Sequence, residues 1–375
     1  MERDEHKKCV ISALTDAQKI AFAPLTFQAV NAMLELGLLK QIDSRPECIY
    51  VLKEELNLSE YTVSTLLEVA EASGIVNFND GIYSITPLGQ AFLYDEMTRV
   101  NFNFVKDVCY KGAEKLSESF ITGEPKGLKA MFGDAATIYP YLSKLPQDMK
   151  NSWFEFDHYY SDNCFDIVYK IITPVSQIFD IGANTGKFEK VCRKYNKDIN
   201  LTLIDLPQNI EVIRNDPELA GCKFHAANIL EEADNLPEIS GAVVMSQFLD
   251  CFSPQQIKFI LEKVAKAALD DTKIYILEPF IDRQKFEGAK LSLVHTSLYF
   301  TCMANGCSKM YSFSEMETII KDAGLKVNAV YDALGAHDYT LLECLKNGFS
   351  FQSREQEQKD FCLQNISISF WESFL

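Results

Sequence analysis

Gln177-Ile-Phe-Asp-Ile-Gly-Ala-Asn-Thr-Gly-Lys187 is a short apolar run that ends on an acid and breaks into a glycine-rich turn. Its β-branched and aromatic residues up to Ile181 predict a buried strand. Gly182 and Gly186 then permit a turn in which no Cβ blocks the backbone, so the N–H groups of the turn, with Asp180 and Asn184 beside them, meet whatever lies beyond the strand end. The run Asn200-Leu-Thr-Leu-Ile-Asp205 is a second strand closing on an acid, Asp205, nineteen residues past Gly186 and placed to accept hydrogen bonds from the two hydroxyls of a ribose. A polar nucleoside ligand fits that pair.

Outward from this point, Lys223-Phe-His-Ala-Ala227, Ala242-Val-Val-Met245 and Lys273-Ile-Tyr-Ile-Leu-Glu278 continue an alternation of strands and helices. Such an order predicts a parallel sheet with helices on both faces. Ser253 and Pro254 open one crossover helix, whose apolar stripe is Ile257, Ile260, Leu261, Val264, Ala265 and Ala268. A capping box, Ser312 to Glu315, opens another that stops at Gly324. Val327-Asn-Ala-Val-Tyr331 and Tyr339-Thr-Leu-Leu-Glu-Cys344 lie too close together for a crossover helix, so they are expected to pair antiparallel at a sheet edge. This α/β domain spans 171–346.

The chain ahead of it reads differently. From about residue 20 to 90 come helices beginning with the run from Ala23, then a helix capped by Ser59 with Val63, Leu66, Leu67 and Ala70 on one face, ended by Gly74. Ile75-Val-Asn-Phe78 and Ile82-Tyr-Ser-Ile85 flank Asp80-Gly81, a favoured hairpin turn. Helix, helix, wing is a winged-helix pattern, assigned to 1–95. The helix that would enter a DNA groove carries Glu60, Glu68 and Glu71 and no Lys or Arg, which argues against nucleic acid and for dimerisation. An aromatic, helical connector fills 96–170, with Gly123, Pro125 and Gly127 marking a loop, and the tail 347–375 has no assigned role.

A 375-residue chain suits two domains, and a net charge of −17 repels phosphate backbones and anionic lipid. The N-terminus is densely charged with no apolar leader behind it, and no segment stays uncharged long enough to cross a bilayer, so the expected location is the cytoplasm. Eleven scattered cysteines without a Cys-x-x-Cys pair read as reduced thiols, with no metal site.

A dinucleotide turn wants G-x-G-x-x-G against its pyrophosphate, whereas positions 182–187 read Gly-Ala-Asn-Thr-Gly-Lys. S-adenosylmethionine (SAM) has no phosphate and tolerates Asn184. Residues from about 20 to 346 resemble the winged-helix small-molecule O-methyltransferases of the caffeate, hydroxyindole and polyketide type. The resemblance rests on Phe179-Asp-Ile-Gly-Ala-Asn-Thr-Gly186, on Asp205-Leu-Pro207 and on Ala227-Asn-Ile229. It implies a Rossmann-like, seven-stranded SAM-dependent methyltransferase domain, last strand pair antiparallel, behind a helical winged-helix dimerisation domain, working as a homodimer. It implies SAM contacts from Asp180, Gly182, Asn184, Gly186, Asp205, Leu206, Ser246 and Gln247, with Asn228 and Ile229 flanking the adenine.

Where the family carries its catalytic histidine, this chain reads Leu249-Asp-Cys-Phe252, so Asp250 stands in its place. Glu278 resembles the family's second acidic helper, and the third acidic position falls near Met310. A phenol with a pKa of about 10 faces an ordinary Asp of about 3.9 across roughly 6 units, or about 8 kcal/mol of uphill proton transfer. Three roles therefore stay open for Asp250: a buried base of raised pKa, a holder of the acceptor's phenol or ammonium while a ring carbon attacks, or structure. Relatives that methylate tyrosine-like rings at carbon, or belong to aryl-polyene pathways, look similar around Ser246-Gln-Phe-Leu-Asp250 and Ala304-Asn-Gly306. His295 and His158 are alternative bases, and His158, Tyr159, Tyr160, Tyr299, Met303 and Asn305 are candidate walls of an aromatic acceptor's pocket, the acceptor free or carrier-attached. Two rivals remain: an NAD(P)-dependent oxidoreductase and a catalytically silent ligand-binding or regulatory protein of the same fold.

Overall fold

The computed structural model describes residues 2–347. They form two compact units, one made of residues up to Val108 with Asn151–Phe156, the other of Cys109–Lys150 and the residues from Asp157 on. The expected 96–170 connector is thus divided between the two. The tail from 348 lies outside the described residues.

In the first unit α1 (Glu2–Glu35) is followed by α2 (Leu38–Ser44), α3 (Ile49–Leu56) and α4 (Glu60–Ala72), the strands β1 (Val76–Asn79) and β2 (Ile82–Ile85), then α5 (Pro87–Tyr94) and α6 (Glu96–Phe104). Helix α1 begins far ahead of the apolar run at Ala23, because no Gly or Pro interrupts residues 2–23. Ser59 caps α4, its Oγ accepting from Thr62 N at 3.0 Å. Asp80 and Gly81 both take positive φ, 50° and 85°, as a two-residue hairpin turn of mirror-image type requires. Val30, Met33, Leu38, Leu39, Leu52, Val63, Leu67 and Tyr83 pack into one core. Glu60, Glu68 and Glu71 are exposed on α4 and leave that helix an acidic face.

The second unit contains α7 (Leu116–Thr122), α8 (Lys126–Phe132), the end of α9 (Gln147–Ser161) and α10 (Phe165–Ile172). Gly123 ends α7 as expected, but Gly127 sits inside α8 and not in a loop: a Cβ there would lie 2.6 Å from the Gly112 carbonyl oxygen, so the residue is small to let two backbones meet. Then follow β3 (Gln177–Ile181), α11 (Lys187–Tyr195), β4 (Asn200–Asp205), α12 (Pro207–Ile213), β5 (Lys223–Ala226), β6 (Ala242–Ser246), α13 (Pro254–Ala267), β7 (Lys273–Glu278), α14 (Glu287–Tyr299), α15 (Phe313–Asp322), β8 (Leu325–Leu334) and β9 (Tyr339–Lys346).

The seven strands lie in the order β5-β4-β3-β6-β7-β9-β8. All pairs up to β7 are parallel, while β9 runs antiparallel to both β7 and β8. The expected capping box of Ser312 with Glu315 forms, and Ser253, expected as a cap, makes a second such box with Gln256. The stripe Ile257, Ile260, Leu261 and Val264 packs with Phe179, Val243, Met245 and Ile276 from the sheet and Met316 and Ile320 from α15. Each fully buried aliphatic side chain there contributes about 1.5–3 kcal/mol of transfer free energy. The order of strands reverses between β3 and β6, and the carboxyl ends of those two strands are where an open α/β sheet presents its ligand crevice.

Among the described residues no single helix is long and apolar enough to cross a membrane; only the bent pair Cys9–Glu35 and Leu38–Ser44 reaches that mark together.

Candidate active site

At that crevice an open cavity is lined by Asp180, Gly182 and Asn184 at the end of β3 and in its turn, Ser246 and Gln247 at the end of β6, and Asp157 and His158 from α9. The turn is built as its sequence requires. Gly182 has φ 84°, and a Cβ on it would fall 2.2 Å from the Phe248 ring, so the close approach admits only glycine. Asn184, at φ 49°, uses the left-handed region that its short amide tolerates. Its backbone N–H donates to Asp205 Oδ2 at 2.8 Å and its side-chain amide to Asp157 Oδ2 at 2.9 Å, tying the turn to β4 and to α9.

Asp205 Oδ1 also accepts from Leu206 N at 2.6 Å and Asn209 Nδ2 at 2.8 Å. Of roughly four acceptor positions on a carboxylate, these contacts use three, so a ribose must share or displace the Asn209 amide. Asp180 Oδ1, Thr185 Oγ1, Ser246 Oγ and Gln247 Oε1 are buried without a partner, and all four residues line the cavity. Leaving such a group unpaired costs about 1–3 kcal/mol. A polar ligand that donates and accepts here removes that cost, and the charged amino-acid end of SAM is of that kind.

Beyond β6 the turn Leu249–Cys251 presents Asp250, which is 5% exposed. Burial pushes its carboxyl up to about 7, while the Cys251 thiol, whose Sγ donates to Oδ1 at 3.4 Å, pulls the other way and Asp157 adds to the rise. Glu278, at the end of β7, holds the same turn: its Oε1 accepts from Phe248 N at 3.1 Å and Leu249 N at 2.9 Å. Burial and the neighbouring Asp250 raise its carboxyl well above the usual range. Glu278 thus shapes the loop that carries Asp250. Asp157 is pushed up to about 6 by burial, against the pull of His158.

The remaining expected residues separate. His295 is exposed on α14, with Nδ1 2.8 Å from the Leu291 carbonyl one turn back in its own helix. His158 lines the cavity, its Nδ1 3.4 Å from Asp162 Oδ1. Tyr159 and Tyr160 pack on the His337 ring, with centroids 4.5 and 5.1 Å away. Asn305 is no open pocket wall. Its amide donates to the Cys251 carbonyl and to Ser308 Oγ, both at 2.8 Å, while Oδ1 accepts from Cys307 N and Ser308 N. It braces the Asp250 turn from behind. Tyr299 and Met303 are buried beside it in sequence. Asn228 Oδ1 accepts from Leu230 N at 3.2 Å, and Ile229 is buried in the core of the sheet.

Sequence reasoning missed Asp162 and Lys187, an ion pair on the cavity wall, and Thr185. Asp157 stood in the aromatic stretch already singled out, yet nothing local marks it as a partner of Asn184, which lies 27 residues away in sequence. Among the described residues no cluster of His, Cys, Asp or Glu could hold a metal.

Residues 15–83 match the Dimerisation2-like domain, and residues 160–326 match the O-methyltransferase domain. The chain is thus a SAM-dependent methyltransferase with an O-methyltransferase domain over residues 160–326. That assignment removes the oxidoreductase alternative and makes SAM the cofactor of the methyltransferase. The L-tyrosine C(3)-methyltransferase of Streptomyces lavendulae is 21% identical, over 81% of this chain and 85% of its own. The SAM-dependent methyltransferase SibL shares the fold with a TM-score of 0.66 at 22% identity, covering 89% of this chain and 99% of its own. The O-methyltransferase NcsB1 of neocarzinostatin biosynthesis, solved with SAM and 2-hydroxy-5-methyl naphthoic acid, shares it with a TM-score of 0.61 at 17% identity, covering 86% and 96%.

Proposed function

We propose that this methyltransferase moves the methyl group of SAM to an oxygen or ring carbon of a small phenolic acceptor of secondary metabolism, working as a homodimer. The observation that carries the reading is Asp250, a buried carboxyl at the end of β6 whose proton affinity lies near neutrality. Against a phenol of about 10, a base near 7 faces about 3 units, or ~4 kcal/mol, half the barrier that an ordinary aspartate meets. Burial thus supplies what the exchange of histidine for aspartate takes away. SAM brings an already activated sulfonium methyl, so the protein has to place the acceptor, keep water out and accept one proton. Asp250 accepts it, on the turn that Glu278 and Asn305 hold in shape. The relatives support an aromatic acceptor on either atom, since one is named for methylation of a tyrosine ring carbon and another was solved with a hydroxynaphthoic acid.

The homodimer is supported by the Dimerisation2-like match and by α1, where Ile20, Phe22 and Leu25 are exposed at 77%, 57% and 67%. Incubation with methyl-labelled SAM and a panel of hydroxyphenyl compounds, free and carrier-attached, tests the reading. Label in a phenolic product, located by mass spectrometry and NMR, is the expected result. No turnover on any phenol, with SAM still bound, refutes it and leaves the catalytically silent alternative.

A further inference from the structure

Behind the cofactor cavity, Asp180 at the end of β3 meets Glu189 from the first turn of α11, the two buried carboxyls set against one another. Both are buried, at 4% and 1% exposure, and only Asp180 reaches the cavity wall. Asp180 Oδ1 and Glu189 Oε2 have no hydrogen-bond donor among the described residues. Two ionised carboxylates repel each other at contact in an apolar site, and one proton held between them supplies the missing donor. Among the described residues neither carboxyl forms an ion pair with a cation. The ionisable groups facing the pair are Asp205 from β4, Cys222 from the turn ahead of β5 and Cys192 from the next turn of α11. Of the basic residues of α11, Lys187 pairs with Asp162, Lys190 with Asp216 and Glu218, and Lys194 with Asp166, while Arg193 binds the Lys197 carbonyl and Cys222 Sγ through its terminal nitrogens and keeps Nε buried without a partner.

We infer that Asp180 and Glu189 form a proton-sharing pair that senses the positive charge of the bound cofactor, releasing its proton to solvent as SAM binds and regaining one when the sulfonium charge is gone. Free, the pair carries one negative charge and one proton. A ligand bearing both an ammonium and a sulfonium stabilises the second negative charge, and the start of α11, with its partial positive charge, favours it too. S-adenosylhomocysteine (SAH) lacks the sulfonium, so the doubly ionised pair is disfavoured around it and reprotonates. The pair therefore binds substrate cofactor in preference to product. Glu189 touches neither cofactor nor acceptor in this scheme; it is a positioning residue that acts through Asp180.

Isothermal titration of the full chain with SAM and with SAH between pH 6 and pH 7, in two buffers of different ionisation enthalpy, counts the protons. Within that window the cofactor's own α-amino group, with a pKa near 8, stays protonated. SAM binding is expected to release close to one proton and SAH distinctly less, with SAM affinity rising by up to about tenfold per pH unit, the limit for one exchanged proton. Glu189→Gln places an amide N–H where the shared proton was. That variant is expected to bind SAM with proton release near zero and a flat pH dependence. Two results overturn the inference: a parent protein that exchanges no proton on binding SAM, or a Glu189→Gln variant that releases as many as the parent, which would assign the protons to Asp157 or His158. Should Glu189→Gln fail to fold, the difference between SAM and SAH in the parent decides alone.

Discussion

Replacing Asp250 with Asn keeps the shape of the side chain and removes its capacity to take a proton. The carboxyl sits near 7 because burial disfavours its charge, so at pH 8 it is largely ionised and ready to act as a base. Loss of a positioned general base costs about 10²- to 10⁴-fold in rate, and kcat of Asp250→Asn is expected to fall within that span. Asp250 does not line the cofactor cavity, so SAM affinity measured by titration is expected to stay within about twofold of the parent. The pH profile is the more specific readout. In the parent, kcat rises with pH through an inflection near 7, and in Asp250→Asn that inflection disappears. A variant that turns over at the parent rate, or keeps the inflection, refutes the role of base. Lost turnover joined to an unchanged profile in residual activity would point to Asp250 as an anchor for the acceptor instead.

Other expectations follow from the same geometry. Asp205→Ala removes a carboxylate that serves both the turn and the expected ribose contact; at about 1.5–3 kcal/mol for a charged hydrogen bond, SAM affinity should drop by at least about tenfold, and unchanged affinity would end the cofactor assignment. The raised Asp250 carboxyl binds its proton more tightly in the folded than in the unfolded chain, so the folded state loses stability as pH rises from about 4 to 7. The limit is of the order of 4 kcal/mol. Thermal melts of the cofactor-free protein should show Asp250→Asn gaining on the parent between pH 5 and pH 8, and a gap that does not change with pH contradicts the burial argument. Ile20→Glu together with Leu25→Glu puts charge on an exposed apolar face of α1, and light scattering should then report monomers where the parent gives dimers.

Much of the α/β unit is legible because its signals are local. Alternation fixes the strands, the serines at 253 and 312 fix two helix starts, and the short gap between Tyr331 and Tyr339 forces the antiparallel pair. The site is half legible for the same reason. The turn from Asp180 to Gly186 and the strand-end Asp205 announce themselves, whereas Asp157, Asp162 and Glu189 acquire a role only when α9 and α11 are folded against β3, and no spacing along the chain encodes that. His295 is less legible: it lies near the Ala304–Gly306 segment in sequence, but its exposed place on α14 is set by the helical repeat and not by proximity along the chain.

The position of β9 bears on how the molecule is made. This strand, residues 339–346, lies inside the sheet between β7 and β8, and Glu343 within it accepts from Lys273 Nζ, Tyr275 OH and Asn328 Nδ2. A ribosome delivers β7 about 60 residues before it and β8 only a few residues ahead. Until Tyr339 and its successors emerge, both strands expose unpaired edges, the template on which chains pair with one another. Synthesis of this enzyme therefore passes through a long interval in which β7 stays an open edge, and a chain stopped before Tyr339 would keep the cofactor turn complete while having no strand to cover that edge.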